Sequence, residues 1–276
     1  MTAKLTVAAA LAQSGLVPVD GRVLMMHVLG VDRAWLVAHD RDLLAADQAD
    51  AFFALAKRRR DGEPIAYLTG RREFHGLDLV VTPAVLIPRP ETEALVDLAL
   101  SFLPKDAPAA ALDLGTGSGA IALAIANARP RAEVTAVDRS RDALDVARAN
   151  ASRLAIANVR FIESDWYAAV PAASFDVIVS NPPYVAPGDP HLLQGDVRHE
   201  PRVALVPPLD GLSALRSIVA GAPSHLRPGG LLAVEHGHDQ ADAVRRLFEA
   251  AGLVSIVSRR DLAGVDRVVA GRTAGT

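Results

Sequence analysis

The stretch Ala111–Asp138, "ALDLGTGSGAIALAIANARPRAEVTAVD", joins a short apolar run, a glycine-rich turn, an apolar helical pattern and a second apolar run that ends in a carboxylate. A strand, a tight turn and a helix that carries the chain back to a second strand form the unit from which parallel sheets are wound. The alternation continues through "RDALDVARANASRL", "VRFIESD", "FDVIVS", "LSALRSIVAGAPSHL", "GLLAVEHG", "DAVRRLFEAAG", "VSIVSRRD" and "DRVVAGR". It predicts a doubly wound, mostly parallel α/β sheet. The last two strands leave no room for a crossover helix, so they are expected to form an antiparallel hairpin at one end. Ligands of such sheets bind beyond the carboxyl ends of the strands, and the search for chemistry starts there.

Upstream the pattern differs. Residues 1–72 read as short amphipathic helices, with Leu24, His27 and Val28 on one face and Phe52, Phe53, Leu55 and Ala56 on another. This predicts a small all-α domain. Residues 73–90 carry the β-branched, turn-separated signature of a β-hairpin connector, and a helix is expected to begin behind Pro90 within the main domain, residues 91–276. The amino end, "MTAKLTVAAALAQSGLV", bears a weak likeness to a signal peptide around Lys4. Its run is mostly Ala and continues at helical spacing into "RVLMMHVLG" and "AWLVAHD", so it reads as a helix. No run of 18 uncharged apolar residues occurs. A cytoplasmic enzyme without membrane contact is expected.

With 276 residues, half of them hydrophobic, the chain can bury a large core. Lys and Arg total 29 against 32 Asp and Glu, a net charge of −3, which argues against a stable nucleic-acid partner. The absence of cysteine excludes disulfides, thiolate nucleophiles and cysteine-ligated metals.

The first strand of the sheet ends in Gly115, Thr116, Gly117, Ser118 and Gly119. Glycines there let a ligand approach the backbone and the amino end of the following helix. No Lys follows as in a phosphate-clamping loop, and the G-x-G-x-G spacing differs from the dinucleotide fingerprint. Asp138, about 20 residues on, can accept hydrogen bonds from two ribose hydroxyls. Its alternative role is to cap the next helix, which Ser140 can do instead. The third strand ends in Asp165 and Trp166, a carboxylate for an exocyclic amine and a ring for a base. Three successive strand ends thus offer nucleoside contacts without a phosphate site. The arrangement resembles the S-adenosylmethionine-dependent methyltransferases of the seven-strand, Rossmann-like fold.

The fourth strand ends in "SNPPYV", Ser180–Val185. Proline has no N–H and a fixed φ, so Pro182 and Pro183 stop the ladder and hold carbonyls rigidly outward. The Asn181 side-chain oxygen and the Pro182 carbonyl then make two acceptors for the two hydrogens of an NH2 group, with Tyr184 as a flat wall against a planar substrate.

Beyond these residues, "GEPIAYLTGRREFHGL", "VLIPRPETEALV", "HEPRVAL", "VEHG" and the closing "DRVVAGR" resemble the glutamine methyltransferases that modify class 1 peptide chain release factors. The resemblance covers nearly the whole chain. It implies S-adenosyl-L-methionine as methyl donor and the amide of the Gly-Gly-Gln glutamine as acceptor. Gly115–Gly119, Asp138, Trp166 and Asn181 would hold the cofactor, and Asn181–Tyr184 the substrate glutamine. It also implies a release-factor contact for the helical domain; a monomer is expected. "VPPLDGL" departs from the family pattern at Pro207 and Pro208, which bears on the loop near the substrate.

Other features have plainer readings. "KRRR", Lys57–Arg60, suits an acidic partner, ribosomal RNA or a solvated helix face. His236 and His238 lack a third metal ligand. His75 and His199 read as packing or hydrogen-bonding residues, and Glu91 and Thr92 either approach the cofactor or start a helix. An adenine methyltransferase of DNA or RNA would use the same clamp but needs a basic surface for the backbone. A ribosomal-protein glutamine methyltransferase differs only in its recognition surface. A non-catalytic translation-factor binding module would not need the intact cofactor loop.

Overall fold

A computed structural model of the chain describes residues 5–172, 175–261 and 263–275. The chain divides into two compact units, one running to Arg71 and including Leu193–His199, the other comprising Arg72–Leu192 and the chain from Glu200 onward.

The smaller unit contains helices α1 (Val7–Gln13), α2 (Pro18–Leu29), α3 (Arg33–Ala38), α4 (Ala46–Arg60) and α5 (Ile65–Thr69). Lys4 lies outside the described residues; the Ala-rich run from Val7 is helical and is capped by the Thr6 hydroxyl, which accepts from the Ala9 amide. Val7, Leu24, Met25, Leu36, Phe52 and Leu68 form its core. His27 is exposed, because α2 turns Leu24 and Met25 inward instead. Most of the basic run of α4 is spent within this unit. Arg58 pairs with Glu63, Arg59 with both Asp20 and Asp196, and Arg60 donates to the Ser14 carbonyl.

From Arg71, where the smaller unit ends, the chain forms a hairpin of β1 (Arg71–Phe74) and β2 (Leu77–Val80), joined by His75 and Gly76 at φ 49° and 76°, as a type I′ turn requires. The hairpin is shorter than its sequence suggests: residues 81–89 are irregular. A single 3-10 turn, Pro90–Thr92, leads into α6 (Glu93–Phe102). Both Glu93 and Asp97 hold His75, through its backbone N–H at 3.0 Å and its Nε2 at 3.1 Å.

There follow β3 (Ala109–Leu114), α7 (Ala120–Ala128), β4 (Ala132–Asp138), α8 (Arg141–Arg153), β5 (Val159–Glu163), β6 (Phe175–Ser180), α9 (Arg202–Leu205), α10 (Ser213–His225), β7 (Leu226–Glu235), α11 (Ala241–Ala250), β8 (Val254–Arg260) and β9 (Asp266–Arg272). The strands form one seven-stranded sheet in the order β5-β4-β3-β6-β7-β9-β8. All neighbours are parallel up to β7; β9 runs antiparallel to both β7 and β8. The final hairpin of the sequence reading is present, with β9 on the inside: its Val268–Ala270 are fully buried, while β8 is largely exposed as the edge.

Both faces of the central strands are covered, so side chains of opposite orientation are equally apolar. Ala111 of β3 and Val177 and Val179 of β6 join the core formed with α6 and α7. Leu112, Leu114 and Ile178 join the opposite core with α10 and α11. The chain leaves β3 in one direction to β4 and β5, then returns to β6 on the other side. This switch point separates the loops after β3 and β6, and the register Leu114↔Ser180 brings Gly115 and Asn181 side by side. Among the described residues no helix is long and apolar enough to cross a membrane.

Candidate active site

A cavity of about 390 Å³ opens at this switch point, wholly within the larger unit. That volume lies in the range of small-molecule and cofactor sites. Gly115, Thr116, Gly117, Ser118, Asp138, Asp165, Trp166, Asn181 and Pro183 are on its wall, with Thr92 and Pro207, Pro208 and Leu209.

The glycine loop is held from below and from the side. Gly115 and Thr116 donate their amides to the Val137 carbonyl, both at 2.9 Å. Gly117 donates to Asp138 Oδ2 at 2.9 Å, while Oδ1 accepts from the Ser140 amide at 2.9 Å. Ser140 itself caps α8, accepting from Ala143 N, so Asp138 is released from capping and keeps unused lone pairs toward the cavity. Beneath the loop Asp113 is fully buried; burial pushes its pKa up to about 7, opposed by hydrogen bonds from the Thr116 hydroxyl and the Ala122 amide. Its Oδ1 has no partner among the described residues.

Gly119 has a different task. It lies off the cavity wall at the amino end of α7 with φ 83°, and an added Cβ would come within 3.1 Å of Leu123 Cδ1 and 3.2 Å of Ala147 Cβ. Its missing side chain lets α7 and α8 approach. Gly117, at φ 56°, faces open space. Both G117A and G119A pay the left-handed backbone cost, about 1–2 kcal/mol. Only G119A adds overpacking, so urea unfolding should show it less stable than G117A by about 1–3 kcal/mol. Equal losses would remove the packing role of Gly119.

Trp166 adopts φ 49°, a costly conformation for a bulky residue, with its carbonyl held by the Ser164 hydroxyl at 2.9 Å. The turn brings the ring over Gly115, whose Cβ position lies 3.6 Å from Trp166 Cζ3. Asp165 beside it is exposed.

Past β6, Asn181 is partly buried and donates its side-chain N–H to Thr92 Oγ1 at 3.0 Å. Among the described residues its Oδ1 and the Pro182 carbonyl accept no hydrogen bond. Pro182 is buried and absent from the cavity wall. Tyr184, expected from sequence to be a flat wall against the substrate, is partly buried and is not among the residues on the cavity wall. Its ring packs on the core beside α10 and α11, and its hydroxyl donates to Glu235 Oε1 at 3.1 Å. A phenol whose oxygen has a buried carboxylate in reach satisfies itself there, and burial raises its pKa well above the ordinary value. Gln240 closes the loop from behind, donating to the Tyr184 carbonyl at 3.0 Å and accepting from Gly237 N.

Sequence reasoning gave Glu235 and Glu200 no role of their own. Glu200, buried in "EPRVAL", accepts from the Ile87 amide at 3.1 Å and pairs with Arg89, so it joins that motif to "LIPRPETE". Glu235 joins Thr92 to Tyr184. His236 is buried with Nδ1 on the Gly237 carbonyl at 2.8 Å, and among the described residues no group of three or more His, Cys, Asp or Glu could hold a metal.

The wall suits an adenosine-bearing ligand: carboxylates at Asp138 and Asp165, an aromatic ring at Trp166, and backbone approach at Gly115 and Gly117. The residues present therefore fit S-adenosylmethionine.

Residues 5–70 match the PrmC N-terminal domain and residues 92–195 the Methyltransferase small domain. A release factor glutamine methyltransferase of Bordetella pertussis is 54% identical over 262 residues, covering 95% of this chain and 97% of that one. Its counterpart in Burkholderia pseudomallei is 52% identical, covering 98% and 97%, and that of Escherichia coli 48%, covering 92% and 91%. Among solved structures, a methyltransferase from Pyrococcus furiosus aligns with a TM-score of 0.55 at 21% identity, covering 79% of this chain and 97% of that one. A 16S rRNA N2 methyltransferase of Thermus thermophilus, in complex with AdoMet and guanosine, aligns with a TM-score of 0.56 at 21% identity, covering 74% and 49%. These two share the fold.

Proposed function

Because the chain belongs to the family of release factor glutamine methyltransferases, we propose that it methylates the side-chain amide nitrogen of the Gly-Gly-Gln glutamine in class 1 peptide chain release factors, with S-adenosyl-L-methionine as donor. The observation that carries this reading is Asn181 on the cavity wall at the end of β6, its Oδ1 unengaged among the described residues; the Pro182 carbonyl is the second acceptor of the reading. When bound, S-adenosylmethionine supplies an electrophilic methyl group. Gly115–Ser118, Asp138, Asp165 and Trp166 are its holders in this reading.

An amide nitrogen shares its lone pair with the carbonyl and is a poor nucleophile. Two fixed acceptors orient it and stabilise positive charge as that charge grows on nitrogen. The methylated nitrogen is then strongly acidic and gives its proton to water, so no strong general base is required. Val203 and Leu209 are exposed yet line the cavity, apolar surface that a protein substrate covers. The helical unit adds to recognition of the release factor; two of its four clustered cations, Arg58 and Arg59, are neutralised by carboxylates within that unit, which weakens the run as an electrostatic docking site for RNA.

The test is methyl transfer from labelled S-adenosylmethionine to a purified release factor, a ribosomal protein mixture and nucleic acid, side by side. Label on the release factor is expected. Label only on ribosomal protein or nucleic acid would move the substrate and keep the clamp.

A further inference from the structure

Asn181 serves as an acceptor only if its amide is held one way round, since the oxygen and nitrogen of a side-chain amide exchange places on a half-turn. A buried set of contacts decides which way. Ser180 pairs with Val234, so the carboxylate of Glu235, at the end of β7, neighbours the residue that follows β6. Glu235 Oε1 accepts from the Tyr184 hydroxyl at 3.1 Å and Oε2 from the Thr92 hydroxyl at 2.7 Å. Threonine has one hydroxyl hydrogen, and here it is given to Glu235. The Thr92 oxygen can then only accept, and the Asn181 atom 3.0 Å away is the NH2 group. The Asn181 oxygen is left on the other side, unengaged.

Resting on the amide-clamp reading above, we propose that Thr92 and Glu235 are positioning residues for methyl transfer: the buried carboxylate orders the Thr92 hydroxyl, which locks Asn181 with its oxygen presented to the substrate amide. Glu235 is 2% exposed and acts through Thr92, itself 4% exposed.

The relay has this direction only while Glu235 is ionised. A protonated Glu235 is itself a donor; Thr92 then accepts from it and turns its hydrogen to Asn181, whose amide flips and offers NH2 to the substrate. Burial pushes the Glu235 pKa up to about 7, against the hydrogen bonds from Thr92 and Tyr184 and the charge of Arg267, with Glu91 adding to the rise; Arg89 and Arg267 both face Tyr184. The competent form is populated above that pKa and lost below it. The turnover rate therefore rises with pH through neutrality.

Full-length T92V, T92S, E235Q and N181A are compared with wild type for kcat on the release factor, cofactor affinity by calorimetry, and pH–rate profile. T92V should lose about tenfold or more in kcat, the worth of one hydrogen bond, with cofactor affinity within about threefold. T92S should restore most of the rate. E235Q has no titrating proton, and its NH2 must face one of the two hydroxyls, either of which can accept as well as donate; its rate should lose the rise between about pH 6 and 8 that wild type shows. Wild-type kcat in T92V beside an inactive N181A would overturn the relay alone, as would a rise that persists in E235Q. An N181A enzyme at wild-type rate would overturn the clamp reading and the relay with it.

Discussion

Replacing Asn181 by alanine should lower kcat for methyl transfer by about 100- to 1,000-fold while leaving S-adenosylmethionine affinity within severalfold. The magnitude is that of deleting one preorganised group aimed at charge that develops in a transition state. Asn181 meets this description: its NH2 is anchored on Thr92, its oxygen is unengaged among the described residues, and the two prolines after it remove the backbone freedom by which a neighbour would compensate. The fold should not suffer, because the sheet ladder ends at Ser180, whose hydroxyl ties β6 to the Leu114 carbonyl at 2.6 Å. Single-turnover kinetics with cofactor binding measured in parallel checks this. Equal loss of binding and rate would mean that Asn181 holds the cofactor rather than the substrate.

The second large effect is expected at Asp138. Its carboxylate accepts from Gly117 N and Ser140 N and still faces the cavity, so it shapes the glycine loop and offers acceptors for the ribose hydroxyls. Hydrogen bonds to a charged group are worth about 1.5–3 kcal/mol each, so D138A should weaken cofactor binding by about 100-fold or more in calorimetry. D138N should lose nearly as much, since its NH2 must face one of two amide N–H donors. Thermal unfolding should stay near wild type, as Ser140 keeps the cap of α8. Cofactor affinity within threefold of wild type in both variants would remove Asp138 from the site.

The parts legible in sequence were those set by local pattern. Alternating apolar runs and helical periods specify a wound sheet, and the carboxyl ends of its strands fall after Leu114, Asp138, Glu163 and Ser180, where the chemistry-bearing residues stand. What the sequence hid was decided by register and long-range pairing. Tyr184 read as a substrate wall because nothing local shows that Glu235 waits beneath it, 51 residues on. Gly119 read as part of a cofactor loop because its collision partner, Ala147, belongs to the next helix. Arg59 read as part of a run for an acidic partner, RNA or solvent, because its partner Asp196 is 137 residues away in sequence. Thr92 was ambiguous between cofactor contact and helix start; it lines the cavity and precedes α6, and its hydroxyl serves Glu235 and Asn181.

The most direct measurement is peptide mass spectrometry of a class 1 release factor after incubation with this protein and S-adenosylmethionine, with fragmentation to locate the added group. One methyl on the side-chain nitrogen of the Gly-Gly-Gln glutamine, absent with N181A, is the predicted result. A release factor left unmodified by an enzyme that binds its cofactor, or a methyl found at any other residue, would contradict it.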